Sequence, residues 1–312
     1  MRIVIAGGTG FLGGPLAEVY AEEGHDVRVL TRSLSDGEAR HDPGTGKPGI
    51  TRVGWQPTGE TGRWGQALDG ADAVVNLAGE SIGDARWTPQ RKAKLRDSRL
   101  LATRSLAAAI NAAAQPPQVL VSMSGVGYYG PAGAEPKTED APAGTDFMAH
   151  LAEDWEVEAR KAERAGTRVV LLRTGVVLEK AGGALPRMLT PFRFFVGGPL
   201  GSGRQYISWI HRLDVIEMIR WIIETPGVTG PVNACAPQPV TNREFAKAIG
   251  HAIGRPSFMP APAFALRLLV GEMADPLLLT GQRAIPAVAQ AHGYHFRYPE
   301  IDIALRGILG EG

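Results

Sequence analysis

The stretch Gly7-Gly8-Thr9-Gly10-Phe11-Leu12-Gly13 carries the strongest structural signal in this chain. It follows a short apolar run, 2–6, and precedes a segment with helical patterning, 15–23. Strand, glycine turn and helix in this order form the context that a dinucleotide-binding fingerprint requires. Gly7 can make the tight turn, Gly10 leaves room for a pyrophosphate, and Gly13 lets the helix lie close to the strand. Because free N–H groups at a helix start favour a phosphate, we expect a nucleotide site here. The alternative is a glycine turn that serves chain geometry alone.

Strand-like and helix-like segments alternate through the first half of the chain. Strands are predicted at 2–6, 26–31, 72–77, 118–122 and 168–173, and helices at 15–23, 89–114 and 147–165, the last with Asp146 as its N-cap. The strand runs are almost continuously apolar, which is typical of a parallel sheet covered on both faces. This pattern predicts an α/β fold with a Rossmann-type doubly wound parallel sheet.

Composition changes after residue 173, where shorter elements and glycine-rich or proline-rich segments predict a smaller C-terminal substrate lobe. We expect residues 1–173 to form the dinucleotide-binding domain, re-entered at about 206–226, and 174–205 with 227–312 to form the lobe. Glycine and proline dominate 36–65 and 130–144, which are predicted loops at the rim of the sheet.

Charge and cysteine content exclude several classes of function. The 312 residues carry 33 basic and 32 acidic side chains, a net charge of +1, which gives no reason to expect a nucleic-acid or membrane partner. The single Cys235 fits a reducing compartment, and the apolar stretch 264–279 is interrupted by charges. No histidine or cysteine spacing indicates a metal site. We therefore expect a cytoplasmic protein with a small-molecule substrate.

The second predicted strand ends in Thr31-Arg32-Ser33, where an NAD site would usually have an acidic residue. An arginine there suits a 2′-phosphate through a charge-assisted contact, although it can equally be an exposed loop charge. Small residues in Asn76-Leu77-Ala78-Gly79 would let an adenosine ribose lie against the backbone. The predicted cofactor is NADP (NADPH), and its predicted contacts are Gly7, Thr9, Gly10, Phe11, Leu12, Gly13, Thr31, Arg32, Asn76, Leu77, Ala78, Gly79 and Ser122.

Four motifs occur in an order and spacing that resembles the extended short-chain dehydrogenases/reductases. They are the glycine turn, Asp72–Gly79, Val121–Ser124 with the later Tyr128-Tyr129-Gly130, and Trp209–Asp214. The chain is most similar to the atypical, epimerase-like subgroup (NAD-dependent epimerase/dehydratase family) with a C-terminal extension. The shared stretches there are Arg86–Thr88, Asp97–Arg99 and Gly197–Gly203. The resemblance covers essentially the whole chain.

This resemblance implies a catalytic set of Asn, Ser, Tyr and Lys, with the last two spaced Tyr-x-x-x-Lys. Ser124 fits the serine position. The tyrosine and lysine positions fall at Phe147 and Leu151, the asparagine position falls at Arg99, and no tyrosine is followed by lysine four residues later. Since a positioned general acid contributes about 10²- to 10⁴-fold in rate, another group must replace it if the protein is an enzyme.

Tyr128 is the replacement candidate near the nicotinamide end of the expected cofactor, with packing as its alternative role. Arg86, Arg99 and Gln205 are the candidate substrate contacts. Related nucleotide-sugar enzymes commonly use an arginine near the position of Ile207, so a nucleotide sugar is disfavoured here.

Two hypotheses follow. The first is an NADP(H)-binding oxidoreductase or epimerase-like enzyme acting on a small carbonyl or hydroxyl compound, with Ser124 bound to the reacting oxygen. The second is a non-catalytic NADP(H)-binding regulator or scaffold. A homodimer through the long helices 89–114 and 147–165 is a further expectation from the resemblance.

Overall fold

The computed structural model describes residues 1–41 and 49–310. The strands in these ranges are β1 Arg2–Ala6, β2 Asp26–Thr31, β3 Ala39–His41, β4 Ile50–Gly54, β5 Ala73–Asn76, β6 Val119–Gly125, β7 Pro136–Lys137, β8 Arg168–Thr174, β9 Val176–Leu178, β10 Tyr206–Ile207, β11 Trp209–His211, β12 Gly230–Ala234, β13 Val240–Thr241 and β14 Arg283–Ala284. The α-helices are α1 Gly13–Glu22, α2 Pro89–Ala112, α3 Phe147–Arg160, α4 Leu185–Arg193, α5 Arg212–Glu224, α6 Asn242–Ile253, α7 Ala263–Val270, α8 Ala287–Ala291 and α9 Ile301–Leu309.

The central sheet has the strand order β12-β8-β6-β5-β1-β2-β4-β3. Every neighbouring pair is parallel except β3 with β4. The chain starts in the middle at β1, builds one half outward through β2 and β4, and then returns to build the other half from β5. This is the doubly wound Rossmann topology, and it confirms the predicted fold class.

Apolar side chains cover both faces of this sheet. Residues of α1 and α5 pack on one face in a core that includes Ile5, Leu16 and Ile219. Residues of α2 and of the helical turn Lys161–Ala165 pack on the other face with Val4 and Leu120. A separate core joins α4, α6 and α9 and forms the centre of the smaller lobe. No helix in the described ranges is long and apolar enough to cross a bilayer.

The predicted loop 36–65 is wrong in part. Its described residues include β4, which pairs in parallel with β2 and buries Ile50 and Val53. The stretch Thr51-Arg52 interrupts the apolar run, so the continuous pattern of a central strand is lost. Residues 42–48 of this predicted loop lie outside the described residues.

The boundary of the smaller lobe also needs correction. Gly230–Ala234 was expected to belong to the lobe, but it forms β12 and pairs with β8 in the main sheet. Gly230-Pro231 has the composition of a turn, yet proline is tolerated in a strand at the edge of a sheet, where β12 lies. The predicted loop 130–144 contains the short strand β7, which pairs with β14 near the C-terminus.

Candidate functional site

The turn between β1 and α1 depends on close approaches that exclude a side chain. Gly7 has a φ of +78°, and a Cβ added there would lie 2.7 Å from the carbonyl oxygen of Leu77. A Cβ on Gly13 would lie 2.3 Å from the carbonyl oxygen of Gly7. These contacts bring the turn, the start of α1 and the end of β5 together. Gly7 and Gly13 therefore have the geometric roles that the sequence predicts.

The start of α1 offers main-chain donors with no side-chain partner. Leu12 is the N-cap residue, its side chain makes no capping hydrogen bond, and the first turn carries no acidic residue. The first N–H groups of a helix have no partner within the helix, so they can bind an anion. The ring of Phe11, a residue of this turn, packs on Gly182, where an added Cβ would lie 2.7 Å from the ring. The residues present fit the phosphates of a dinucleotide.

The end of β2 presents an exposed arginine. Thr31 is buried and its Oγ1 lies 2.9 Å from Oγ of Ser33. Arg32 is exposed and makes no hydrogen bond or ion pair with the described residues. Its guanidinium is free to bind a phosphate, and its role in selecting NADP stays a prediction.

Asn76 and Ser122 were expected to contact the cofactor, and the structure places both side chains in the interior. Neither residue has exposed surface. Asn76 Nδ2 donates to Thr103 Oγ1 at 2.8 Å and to Ser122 Oγ at 3.3 Å, and its Oδ1 accepts from the N–H of Ala78 at 3.2 Å. These hydrogen bonds hold the Leu77–Gly79 turn from beneath. The two side chains shape the site without reaching a ligand in it.

Arg99 was expected to bind a substrate anion, but its guanidinium is used internally. It is 7% exposed and donates to the carbonyl oxygens of Leu95 at 3.0 Å and Glu80 at 2.9 Å. Its side chain covers Gly79, where a Cβ would lie 3.3 Å from Arg99 Cγ. Burial lowers the pKa of Arg99 to about 10. Arg99 therefore stabilises the turn after β5.

Arg86 also has a different position from the one expected for a substrate contact. Its Nη2 donates to the carbonyl oxygens of Leu268 and Leu269 at the end of α7. The nearby Lys92 forms an ion pair with Glu272 at 2.7 Å. Both contacts join the region after β5 to the C-terminal part of the chain, so Arg86 holds two parts of the fold together.

Ser124 lies in a buried polar network instead of facing open space. It is 3% exposed and donates to Glu156 Oε1 at 2.8 Å. Arg173 donates to the same carboxylate through Nε and Nη2, both at 2.8 Å. Burial lowers the pKa of Arg173, whereas the Glu156 carboxylate raises it. The net effect is a pKa above the usual value of an arginine. The expectation of an accessible serine hydroxyl is therefore wrong.

The two adjacent tyrosines are also tied to Arg173. The Arg173 guanidinium lies 3.4 Å from the ring centroid of Tyr128. Tyr129 accepts from Arg173 Nη1 at 3.1 Å and donates to Asn233 Oδ1 at 2.7 Å. Burial raises the pKa of Tyr129 to about 12. Tyr129 is thus held in the interior by two hydrogen bonds, and Tyr128 is stacked on the Arg173 guanidinium.

The positions that resemble the tyrosine and lysine of the family hold packed apolar side chains. Phe147 lies edge-on to Trp87, with ring centroids 5.1 Å apart. Leu151 is buried with Leu100 and Trp155. Through these contacts, both residues pack the start of α3 against α2 and against the loop that precedes α2.

A cavity of about 230 Å³ lies at the carboxyl ends of β6 and β8. Its walls come from Gly125–Gly127, Thr174–Val176, the strand β10 and the C-terminal segment Pro276–Gln282. This is the edge of a doubly wound sheet at which ligands bind. A second cavity, of about 330 Å³, lies between α6 and α9 and is lined by none of these residues.

Two polar residues of the cavity matter for its chemistry. Gln205 lines the cavity, and its Nε2 donates to the carbonyl oxygens of Leu200 at 3.0 Å and Leu278 at 2.7 Å, while its contact with a substrate stays a prediction. Among the described residues, Asp146 is the only one that brings a carboxylate to the lining. Its Oδ1 accepts from the N–H of Ala149 at 2.9 Å, and no described residue donates to Oδ2. The sequence identified Asp146 only as a helix cap, because a capping signal does not show what the free oxygen faces.

Comparisons with known proteins agree with this architecture. The model of the NAD dependent epimerase/dehydratase family matches residues 3–235. A model described as a domain of unknown function (DUF1731) matches residues 261–308. The mouse epimerase family protein SDR39U1 is 39% identical over 313 residues, which cover 99% of this chain and all of that protein.

Two solved structures are similar over nearly the whole chain. The human epimerase family protein SDR39U1 (isoform 2), crystallised with NADPH, has a TM-score of 0.87 and 37% identity, with full coverage of both chains. The nucleoside-diphosphate sugar epimerase of Corynebacterium glutamicum has a TM-score of 0.78 and 32% identity, covering 99% of this chain and 58% of that one. This protein therefore belongs to the NAD-dependent epimerase/dehydratase family, in its atypical short-chain dehydrogenase/reductase branch with a C-terminal extension.

Proposed function

We propose that this protein is an NADP(H)-dependent oxidoreductase or epimerase-like enzyme that acts on a small hydroxyl or carbonyl compound. The observation that carries the proposal is the pairing of a dinucleotide cradle with a separate cavity along one sheet edge. The cradle is the glycine turn with the uncapped start of α1, and the cavity lies at the ends of β6 and β8. The human relative crystallised with NADPH supports the choice of cofactor.

The turn Gly10–Gly13 would hold the pyrophosphate through the N–H groups of residues 11–13, since the N–H of Gly10 donates to the Gly7 carbonyl oxygen at 3.0 Å. Arg32 would hold the 2′-phosphate. When bound, the nicotinamide supplies the hydride donor or acceptor for the substrate carbon. The short turn Leu77–Gly79 keeps its backbone accessible because Asn76 and Arg99 fix it from the interior side.

Asp146 is the proposed proton acceptor in the oxidation direction. Asp146 is the one carboxylate in the part of the lining that the structure describes, and its Oδ2 is free, so a substrate hydroxyl there can donate its proton to it. The hydrogen bond to Ala149 fixes the carboxylate at the start of α3. Ser124 is not assigned to this step, because its hydroxyl hydrogen is donated to Glu156.

The cofactor part is tested by titrating the protein with NADPH and NADH. Wild type should prefer NADPH, and Arg32→Ala should weaken NADPH binding about 10- to 100-fold, the value of one to two charge-assisted contacts. NADH is the internal control, since its binding does not involve the 2′-phosphate. Equal affinities of wild type for the two coenzymes would remove Arg32 from the account.

The catalytic part is tested with Asp146→Asn, which keeps a good N-cap residue but cannot accept a proton. Turnover of a secondary alcohol with NADP⁺ should fall about 10²- to 10⁴-fold, while NADP⁺ affinity and melting temperature stay unchanged. Unchanged turnover in this variant would leave Asp146 with its capping role alone.

The second candidate is a non-catalytic regulator that binds NADP(H). The packed Phe147 and Leu151, at the positions that resemble the catalytic pair, favour it. It predicts coenzyme binding without turnover on any carbonyl or alcohol panel, together with a protein partner recovered only in the presence of NADPH.

A further inference from the structure

The chemistry of the cavity wall points to the kind of substrate that it accepts. Apolar side chains form most of the wall, among them Met148, Val176, Met188, Leu200, Leu277 and Leu278. No lysine, arginine or histidine belongs to the described lining. The polar side chains of the described lining are uncharged except for one carboxylate, and they are Asp146, Thr174, Gln205, Tyr206, Ser208, Asn242, Thr280 and Gln282. A substrate in this cavity would be held mainly by apolar contact.

Four arginines of the surrounding segments are engaged by protein groups. Arg204 and Arg283, which neighbour the lining residues Gln205 and Gln282, have no acidic partner among the described residues, but they do not belong to the lining. Arg173 is held by Glu156 at 2.8 Å, and Arg187 by Asp84 at 2.7 Å and by the carbonyl oxygen of Gly83. Arg99 and Arg86 donate to backbone carbonyls. None of these four guanidinium groups is positioned to neutralise a ligand phosphate without first giving up its partner.

A diphosphate in this cavity would therefore be unfavourable. Burying an ionised group without a partner is costly, and the described lining contains one charged group, the carboxylate of Asp146. Like charges at close range in a partly buried site repel each other more strongly than in water. The electrostatics of the wall thus oppose the ligand class named for the Corynebacterium relative.

Size leads to the same conclusion. Pockets that bury drug-sized ligands have volumes of about 300–1,000 Å³, and this cavity has about 230 Å³. The space accommodates a molecule smaller than a nucleotide sugar.

We infer that the substrate is a small, uncharged and mostly hydrocarbon secondary alcohol, whose hydroxyl group lies at Asp146 and whose body lies against the Met188, Leu200 and Leu278 side of the cavity. This inference rests on the proposed function and narrows its substrate class. The substrate hydroxyl donates a hydrogen bond to the free Asp146 oxygen. The hydrocarbon part of the substrate contacts the apolar wall and excludes water from it.

The test uses NADP⁺-loaded protein and two ligand series, measured by calorimetry and by coenzyme reduction. The first series is 2-butanol, 2-hexanol and 2-octanol, and the second is UDP and UDP-glucose. Each added methylene should tighten binding about fourfold until the cavity is full, the equivalent of about 0.8 kcal/mol. UDP and UDP-glucose should neither bind nor displace 2-octanol.

A wall variant and a matched surface variant connect this result to the cavity. Leu278→Ala should weaken 2-octanol binding and move the tightest-binding chain length upward, because it removes wall contact and adds space. Leu268→Ala changes a leucine that is 78% exposed and outside the lining, so the chain-length profile should not move. Melting temperatures with NADP⁺ confirm that both variants are folded.

The outcomes separate the two proposals. Failure to bind either coenzyme would overturn the proposed function. Normal coenzyme binding with micromolar affinity for UDP-glucose, or with no chain-length dependence among the alcohols, would overturn the inference alone. Equal chain-length profiles in wild type and Leu278→Ala would show that the alcohols bind elsewhere.

Discussion

Glu156 on α3 and Arg173 on β8 form a two-pronged ion pair in the interior, with Nε to Oε1 and Nη2 to Oε2 both at 2.8 Å. The Ser124 hydroxyl completes the coordination of Oε1. The pair lies beneath the carboxyl ends of β6 and β8, where the cavity of about 230 Å³ begins. It joins the helix that bears Asp146 to the strand that precedes Thr174–Val176, so it fixes two walls of the cavity relative to each other.

Removing the carboxylate of this pair should strongly destabilise the protein. Glu156→Leu leaves the Arg173 guanidinium buried without a counter-charge, and such changes cost about 3–5 kcal/mol. Urea unfolding would measure the loss. Glu153→Leu, an exposed carboxylate on the same helix, should change the free energy of unfolding by about 0.5 kcal/mol or less. Adding Arg173→Met to Glu156→Leu should recover part of the loss, and no recovery would argue against an uncompensated charge as its cause.

Ser124→Ala should affect stability more than chemistry. The hydroxyl donates one hydrogen bond to an ionised acceptor, whose removal costs about 1.5–3 kcal/mol. Turnover and substrate affinity should stay within a few-fold of wild type, because the side chain does not line the cavity. Steady-state kinetics below the melting transition check this. A 100-fold loss of turnover in a fully folded variant would contradict this prediction and indicate that Ser124 contacts the reacting atoms.

The two glycines at the start of α1 should respond in opposite ways to alanine. A Cβ on Gly13 would lie 2.3 Å from the Gly7 carbonyl oxygen, whereas one on Gly14 would meet its nearest neighbour at 3.9 Å. Gly13→Ala should displace the turn, with loss of NADPH binding and a lower melting temperature. Gly14→Ala should be neutral or stabilising by about 0.5–1 kcal/mol, since alanine is the better helix former. NADPH titration and thermal unfolding of both variants provide the comparison, and equal behaviour would contradict the close approach.

His211 should make stability depend on pH between about 4 and 6.5. Burial lowers the pKa of His211 from 6.5 to about 4. In that window the unfolded chain binds a proton that the folded protein does not, so the free energy of unfolding rises with pH. The slope from this residue is at most about 1.4 kcal/mol per pH unit, and about 3 kcal/mol across the window.

His211→Asn isolates this contribution, because asparagine can replace the cap that His211 Nδ1 provides for the N–H of Leu213. The variant loses the stacking on Tyr298, so its overall stability should fall while the pH slope flattens. His150→Asn, at an exposed histidine, should keep the wild-type slope. A wild-type slope in His211→Asn would show that other groups carry the pH dependence.

The central fold was predictable because its signals are local and repeated. All five predicted strands overlap observed strands, and the predicted helices begin within two residues of α1, α2 and α3. The strands β4 and β12 were missed for opposite reasons. In β4 a polar pair breaks the apolar run, and in β12 a glycine and a proline are accommodated because the strand lies at the sheet edge.

Side-chain direction was the part of the site that could not be predicted. Arg86, Arg99 and Ser124 are polar residues near the right strand ends, and the sequence alone makes each a candidate contact. In the fold, each donates to a protein acceptor brought by a distant segment. For Asp146 the sequence predicted the helix-capping role correctly but not the position in the cavity. That position depends on the C-terminal segment 276–282, which forms another wall of the cavity.

The sequence by itself determined the doubly wound sheet and the glycine turn at its first strand, because strand periodicity and the steric demands of glycine act over a few neighbouring residues. Only the tertiary structure decided which polar groups face the cavity and which form hydrogen bonds with other groups of the protein. That choice depends on hydrogen-bond partners far apart in the chain, such as Glu156 for Ser124 or Leu268 for Arg86, and no local pattern of residues encodes them.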